Sequence, residues 1–197
     1  MLPRRLSQLY GGLVLYGVSS SLIILSGLGN DPWDVFHQGL SRQTGIGTGW
    51  WVCIVGALVL LLWIPLKQKL GLGTVSNVFV IGLGVVVMLA LFDQASELGA
   101  QVALLISGVV LNGVATGMYI GARFGPGPRD GLMTGLAARG HSIRVVRTGI
   151  EFGVLVAGAL LGGTVGIGTL VYAVSIGPLA HFFVPAFTVR SPVPQPA

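Results

Sequence analysis

The stretch "GNDPWDVFHQGL", residues 29–40, stands between two apolar segments and returns in altered form as "GPGPRDGLMTGL", residues 125–136. A shift of 96 positions (125 minus 29) aligns the two motifs at their glycine, proline and aspartate positions: Gly29 with Gly125, Pro32 with Pro128 and Asp34 with Asp130. A proline at the first helical position with an aspartate in the first turn is typical of a helix N-terminus. The motifs therefore predict two short helices, over residues 32–44 and 128–139, with Asp31 and Gly127 at their N-caps.

The similarity extends beyond the two motifs. With one residue deleted, "GLGT" at residues 71–74 aligns with "GIGT" at residues 166–169, and the order of matched positions is kept along the chain. Such self-similarity predicts two copies of one unit. We expect a first repeat over residues 1–95 and a second over residues 96–189. The proline-rich segment 190–197 is predicted to be a disordered tail.

Composition places both copies in a lipid bilayer. The chain is 53% hydrophobic and only 9% charged, and its mean hydropathy is +0.86. A soluble domain carries far more charge on its surface. Runs near the ~20 residues that cross a bilayer predict six spanning helices, over residues 9–28, 50–66, 74–92, 100–121, 143–163 and 169–187. The expected fold is an all-α membrane protein.

Each copy thus crosses the membrane three times, so the second enters from the opposite side and forms a 3+3 inverted-topology repeat. The positive-inside rule supports this. With a cytoplasmic N-terminus, ten of the eleven basic residues fall inside and only Arg42 falls outside. We therefore predict that both termini are cytoplasmic, and nucleic-acid binding is not needed to explain the basic charge.

An inverted repeat would also explain the exchange of Trp33 for Arg129 and the positions of the other tryptophans. Trp33 becomes Arg129 in the second copy, as expected if the motif moves from the outer face to the cytoplasmic face. Trp50 and Trp51 would join Trp33 at the outer interface, with Trp63 at the inner one, as an aromatic belt. Small residues at four-residue spacing predict close helix packing; they include Gly113, Gly117 and Gly121, Gly17 and Ser21, and Gly149 and Gly153.

The two repeated aspartates allow two readings. In the first, Asp34 and Asp130 only cap their short helices. In the second, the short helices dip toward the centre of the protein and both aspartates line a pathway for a solute or ion, as broken helices do in transporters. Helices lying flat at the interface would give the same sequence pattern.

Other polar residues fall at membrane depth. Glu151 lies one turn from Arg147, and an intramembrane carboxylate indicates either a functional site or a buried structural ion pair. Asn77 and Asn112 are expected either to join helices by hydrogen bonds or to line the same pathway. The single cysteine and the three histidines have no metal-ligand spacing. No cofactor motif or catalytic set is present, so the chain is not expected to be an enzyme.

The two motifs and "GLGTVSN", residues 71–77, resemble the YczE/YitT-type bacterial integral membrane proteins over almost the whole chain. The resemblance implies a multi-pass protein of the bacterial cytoplasmic membrane, but it implies no activity because that family has no settled function.

Our prediction of function is a small-solute permease working by alternating access, whose aspartates are also suited to proton coupling. A passive channel and a non-transporting membrane scaffold remain alternatives. The small-residue stripes are also compatible with a homodimer.

Overall fold

A computed structural model describes residues 2–189 as eight α-helices, with no strand in that range. The helices are α1 (Leu2–Ser26), α2 (Pro32–Thr44), α3 (Thr48–Leu66), α4 (Leu72–Leu91), α5 (Leu98–Gly121), α6 (Pro128–Ala137), α7 (Ile143–Leu160) and α8 (Ile167–Phe187). The predicted all-helical fold is confirmed. The predicted disordered tail, 190–197, lies outside the described residues.

Among residues 2–189, five helices are long and apolar enough to cross a membrane: α1, α3, α4, α5 and α8. The sixth predicted span corresponds to α7. It has 18 residues and carries three charged ones, Arg144, Arg147 and Glu151. Length and composition therefore support a multi-pass membrane protein with five spans, and α7 differs from them by its charge.

The helix bounds follow the sequence pattern closely, with one exception. Every helix except α1 begins within two residues of its predicted start, whereas α1 begins at Leu2 instead of residue 9. The extra turns contain Arg4 and Arg5, which hydropathy assigns to water. Arg5 hydrogen-bonds the carbonyl oxygens of Ala122 and Arg123 at the end of α5, at 3.0–3.1 Å, and so fixes the extension to the fold.

α1 and α5 form the antiparallel centre of the protein. Gly12 of α1 faces Tyr119 of α5, and Gly108 of α5 faces Ser19 of α1. A Cβ on Gly12 would lie 2.8 Å from the Tyr119 backbone nitrogen, so only glycine permits this approach. α4 packs along α1 and α8 packs along α5. Gly17 of α1 approaches α4, and Gly113 and Gly117 of α5 approach α8, so the predicted small-residue stripes on α1 and α5 do mediate close helix packing.

The loops that precede the short helices cross between the two halves. The Gly168 amide at the start of α8 donates to the Leu28 carbonyl at 2.8 Å, and the Gly73 amide at the start of α4 donates to the Phe124 carbonyl at 2.9 Å. Gly29 and Gly125, in the same two loops, have φ of 117° and 114°. Both values require glycine, so the repeated glycines serve the same backbone turn in each half.

The short helices α2 and α6 each pack against both α3 and α7. Trp33 of α2, Leu132 of α6, and Val55 and Val59 of α3 form one buried cluster. Because α3 and α7 belong to different halves, each short helix is held by its own half and by the other.

One pair of helices breaks the correspondence between halves. α3 packs along α4, where Gly82 contacts Cys53 and a Cβ on it would lie 2.9 Å from the Gly49 carbonyl oxygen. α7 and α8 make no comparable contact in the described structure. A Cβ at Gly149, Gly153 or Gly177 would meet nothing within 4 Å. The prediction of close packing for the Gly149–Gly153 stripe is therefore wrong: α7 stands apart from α8 and a gap separates them.

Candidate functional site

The first turns of α2 and α6 meet inside the protein. The Arg129 guanidinium lies 4.8 Å from the centroid of the Trp33 ring, and its Nη1 lies 3.6 Å from Asp31 Oδ1. Two residues in contact cannot stand at opposite faces of a hydrocarbon core ~30 Å thick. The prediction that Trp33 lies at the outer interface and Arg129 in the cytoplasm is therefore wrong, because both short helices begin in the interior.

The tryptophan belt needs the same correction. Trp63 is only 1% exposed. Its Nε1 donates to the Pro128 carbonyl at 3.0 Å, and its ring covers Gly131. Trp63 thus fixes the start of α6 instead of marking the inner interface. Trp50, at 49% exposed, and the half-buried Trp51 beside it have placements that are compatible with an interface.

The predicted N-caps are confirmed, and they differ in chemistry. Asp31 Oδ1 accepts from the amides of Trp33 and Asp34 at 3.0 and 3.3 Å. Gly127 has the same backbone conformation as Asp31, φ −64° and ψ 158°, but has no side chain to accept a bond. A carboxylate therefore caps the free backbone amides at the start of α2, whereas the amides at the start of α6 have no cap from the N-cap side chain.

Two cavities adjoin this meeting point. Their volumes are about 80 and 270 Å³, and both are lined by Tyr16, Trp33, Arg129 and Asp130. Further residues around the larger cavity come from the region before α2 and from α6, α7 and α8: Asp31, Met133, Arg147, Glu151, Tyr172 and Ile176. The larger cavity therefore extends from the short helices into the gap between α7 and α8.

The two repeated aspartates have different surroundings. Asp34 is 3% exposed, and its Oδ1 lies 3.0 Å from His37 Nδ1. It lines neither cavity. Asp130 lines both, and its Oδ2 accepts from the Tyr119 hydroxyl at 3.1 Å. The structure thus places one of the two predicted pathway aspartates at the cavity and the other behind it.

Arg147 and Glu151 stand on the far wall of the larger cavity. Arg147 Nε donates to Glu151 Oε1 at 2.9 Å, and the two side chains are 55% and 35% exposed. This is the predicted pair one helical turn apart. It faces the cavity and the gap beside α8.

The two asparagines that the sequence predicts for the pathway also differ in their surroundings. Asn77 lines the smaller cavity. Asn112 is 1% exposed. Its Nδ2 donates to Ser19 Oγ at 3.0 Å, and its Oδ1 accepts from the Tyr172 hydroxyl at 3.1 Å. Asn112 thus joins α1, α5 and α8, and lines neither cavity.

Sequence reasoning missed Asp31, Arg129 and Trp33 as parts of one site. One signal was available: Trp33 and Arg129 occupy equivalent positions, since 33 plus 96 is 129. In a duplicated protein with two-fold pseudosymmetry, equivalent positions close to the axis contact each other. Tyr119, which contacts Asp130, carried no such signal because nothing in the sequence links the end of α5 to the first turn of α6.

Comparison with known proteins agrees with a membrane fold without assigning an activity. A protein of Haemophilus influenzae named only as uncharacterized is 41% identical over 181 residues, covering 91% of this chain and 83% of the relative. The uncharacterized membrane protein YczE of Bacillus subtilis is 32% identical over 181 residues, covering 89% and 83%. The uncharacterized protein YyaS of the same organism is 33% identical over 185 residues, covering 89% and 90%.

No solved structure matches the chain. Residues 3–185 match the family described as "Family of unknown function (DUF6198)". With YczE among its relatives, the predicted resemblance is confirmed, and this chain belongs to the DUF6198 family of membrane proteins.

Proposed function

We propose that this protein is a small-solute permease that binds its solute in the larger cavity. The observation that carries the proposal is a cavity of about 270 Å³ lined by Asp31, Arg129, Asp130, Arg147 and Glu151. Ionisable side chains inside a membrane protein are costly and usually mark a pathway for a solute or ion. A cavity between the ends of short helices is also where transporters with internal repeats bind their substrates.

The cavity favours a permease over a scaffold. A scaffold needs tightly packed helices and gains no stability from charged groups around an internal space. In this fold the first turn of α6 places Arg129 and Asp130 beside two cavities. A polar interior space of this kind provides charged groups to which a solute can bind.

Alternating access is supported by the unequal packing of the two halves. α3 contacts α4, whereas α7 is separated from α8. If the halves form an inverted repeat, exchanging these two arrangements closes the gap at α7 and opens one at α3. A passive channel would need one continuous path and no such exchange, and its flux would not depend on a proton gradient.

The proposal includes a bacterial cytoplasmic membrane, six crossings counting α7, and both termini inside. Once Arg129 is moved to the interior, Arg42 remains the only basic residue that the sequence assigns to the outer side. The charge asymmetry between the faces therefore still supports the orientation.

The test is uptake by proteoliposomes that contain the full-length protein. The probes are radiolabelled methylamine, glycine, succinate and glucose, with protein-free liposomes as the background. We expect at least one probe to enter above background, and Asp130→Asn and Arg129→Gln each to lower its initial rate by about tenfold or more.

Asp34→Asn is the matched control, because it changes the equivalent aspartate at a position that lines neither cavity. It should retain most of the rate. Background rates for all four probes, or undiminished uptake in both cavity variants, would exclude this site from transport.

A further inference from the structure

The charges around the larger cavity do not balance. Its lining contains two basic residues, Arg129 and Arg147, and three acidic ones, Asp31, Asp130 and Glu151. Arg147 pairs with Glu151 at 2.9 Å, and Arg129 lies 3.6 Å from Asp31. Asp130 is left over. No basic group lies within 4.0 Å of its carboxylate in the described part of the chain.

Asp130 is also poorly solvated by the protein. It is half-buried, and the Tyr119 hydroxyl, at 3.1 Å, is the one hydrogen-bond donor that its carboxylate has among residues 2–189. An ionised carboxylate inside a membrane protein is strongly unfavourable without a counter-charge. The equivalent Asp34 has its own neighbour, His37, and does not adjoin a cavity. Among the described residues that line the larger cavity, Asp130 is therefore the carboxylate with no basic side chain within 4.0 Å.

We propose that the cavity binds a small organic cation through an ammonium group that contacts the Asp130 carboxylate. This inference rests on the proposed permease, since it names the class of solute that the permease carries. One added positive charge makes the cavity neutral. Arg129 does not oppose the cation strongly, because Asp31 and the face of Trp33 already compensate its guanidinium.

The walls suit an organic cation better than a metal ion. A metal such as Ca²⁺ takes six or more oxygen ligands, and residues 2–189 assemble no group of three acidic, histidine or cysteine side chains that would hold one. Tyr16 and Tyr119 present aromatic rings beside Asp130 in the smaller cavity. Met133 and Ile176 give the larger cavity an apolar side. Ammonium groups with attached carbon bind well between a carboxylate and aromatic faces.

The experiment is titration calorimetry on the full-length protein in detergent at pH 7. The probe is benzylammonium, with benzoate as an anion of similar size and benzyl alcohol as a neutral one. We expect benzylammonium to bind saturably and the other two to bind at least about tenfold more weakly. Asp130→Asn should weaken benzylammonium by about tenfold or more, while Asp34→Asn should stay within about twofold.

Elution volume and thermal melting establish that Asp130→Asn is folded, and Tyr119→Phe offers a second variant that keeps the carboxylate charge. Tyr119→Phe should retain benzylammonium binding within about fivefold, because it removes one hydrogen-bond donor and leaves the Asp130 charge in place. Equal affinity in Asp130→Asn and wild type would overturn the inference, as would tighter binding of benzoate.

A proton is the other source of positive charge. Proton uptake that depends on Asp130, with no binding of benzylammonium, would overturn the organic-cation site. The binding test and the uptake test can also fail independently of each other. Bound benzylammonium without uptake of any probe would remove the permease and keep the cation site, whereas uptake of glucose or succinate alone would keep the permease and remove the cation site.

Discussion

α3 and α4 in the first half, and α7 and α8 in the second, are equivalent pairs of helices with opposite packing. In the first pair Gly82 contacts Cys53, and α3 lies along α4. In the second pair the corresponding positions are Gly177 and Gly149, and a Cβ added at either would meet nothing within 4 Å. The two helix pairs, whose positions align in the sequence, therefore differ in packing: α3 contacts α4, and α7 is separated from α8.

α3 and α7 also differ in sequence on a second face, away from the contact of Gly49 and Cys53 with α4. Trp51 and Val55 of α3 are replaced in α7 by Arg147 and Glu151. Val55 is 7% exposed and packs in the cluster around Trp33, while Arg147 and Glu151 face the larger cavity. An apolar surface is stabilised by packing, whereas a charged surface is stabilised by an aqueous or ligand-filled space. The second half therefore presents charged side chains to the larger cavity where the first half buries apolar ones.

The largest expected effect comes from locking the open pair. Gly149→Cys and Gly177→Cys, introduced together with Cys53→Ala, place thiols at the positions that correspond to the closed contact. If α7 closes on α8 during transport, an oxidant should cross-link them and lower uptake by about tenfold or more. Uptake is measured in proteoliposomes before and after reduction.

The two single-cysteine variants are the controls, and both should be insensitive to the oxidant. A cross-linked protein that transports at the unlinked rate, or a pair that never cross-links, would show that the gap is a fixed feature.

A smaller effect, on stability, is expected from adding one methyl group to each pair of helices. Gly82→Ala would overlap Cys53 and the Gly49 carbonyl, and overpacking of this kind costs about 1–3 kcal/mol of unfolding free energy. Gly177→Ala enters open space and should leave stability unchanged. Thermal melting in detergent compares them, and equal melting temperatures would remove the distinction between closed and open pairs.

The smallest effect concerns what holds α8 in place while α7 stands apart. Tyr172→Phe removes the hydrogen bond from α8 to Asn112 of α5. Hydrogen bonds between membrane helices contribute about 0.6 kcal/mol on average, so a slight fall in melting temperature is expected. Val174→Ala, at a position 75% exposed on the same helix, serves as the control. A loss well above about 2 kcal/mol would mean that Tyr172 supports the site by more than this bond.

The local structure of the short helices could be predicted from the sequence because it depends on neighbouring residues. Pro32 and Asp31 specify the start of α2, and Gly45 ends it in a left-handed conformation. The same holds for Pro128 and Gly127 at the start of α6. These signals act within one or two turns, so they could be read without knowing the fold.

The site could be predicted only in part, because it depends on contacts between distant segments. Hydropathy assigns an arginine to water and so puts Arg129 at a surface, although Asp31 and Trp33 offer it an interior position. Asp34 and Asp130 look identical in the motif. Tertiary packing alone decides that one contacts His37 and the other adjoins the cavities.

The packing of α2 against α7 has a consequence for biosynthesis. α2 ends at Thr44 and packs against α7, which begins at Ile143. At roughly 5–20 residues per second, the ribosome makes α2 many seconds before it makes α7. During that interval α2 is present without its contacts to α7. The first half of the chain is therefore synthesised as an intermediate whose short helix has only part of its final surroundings.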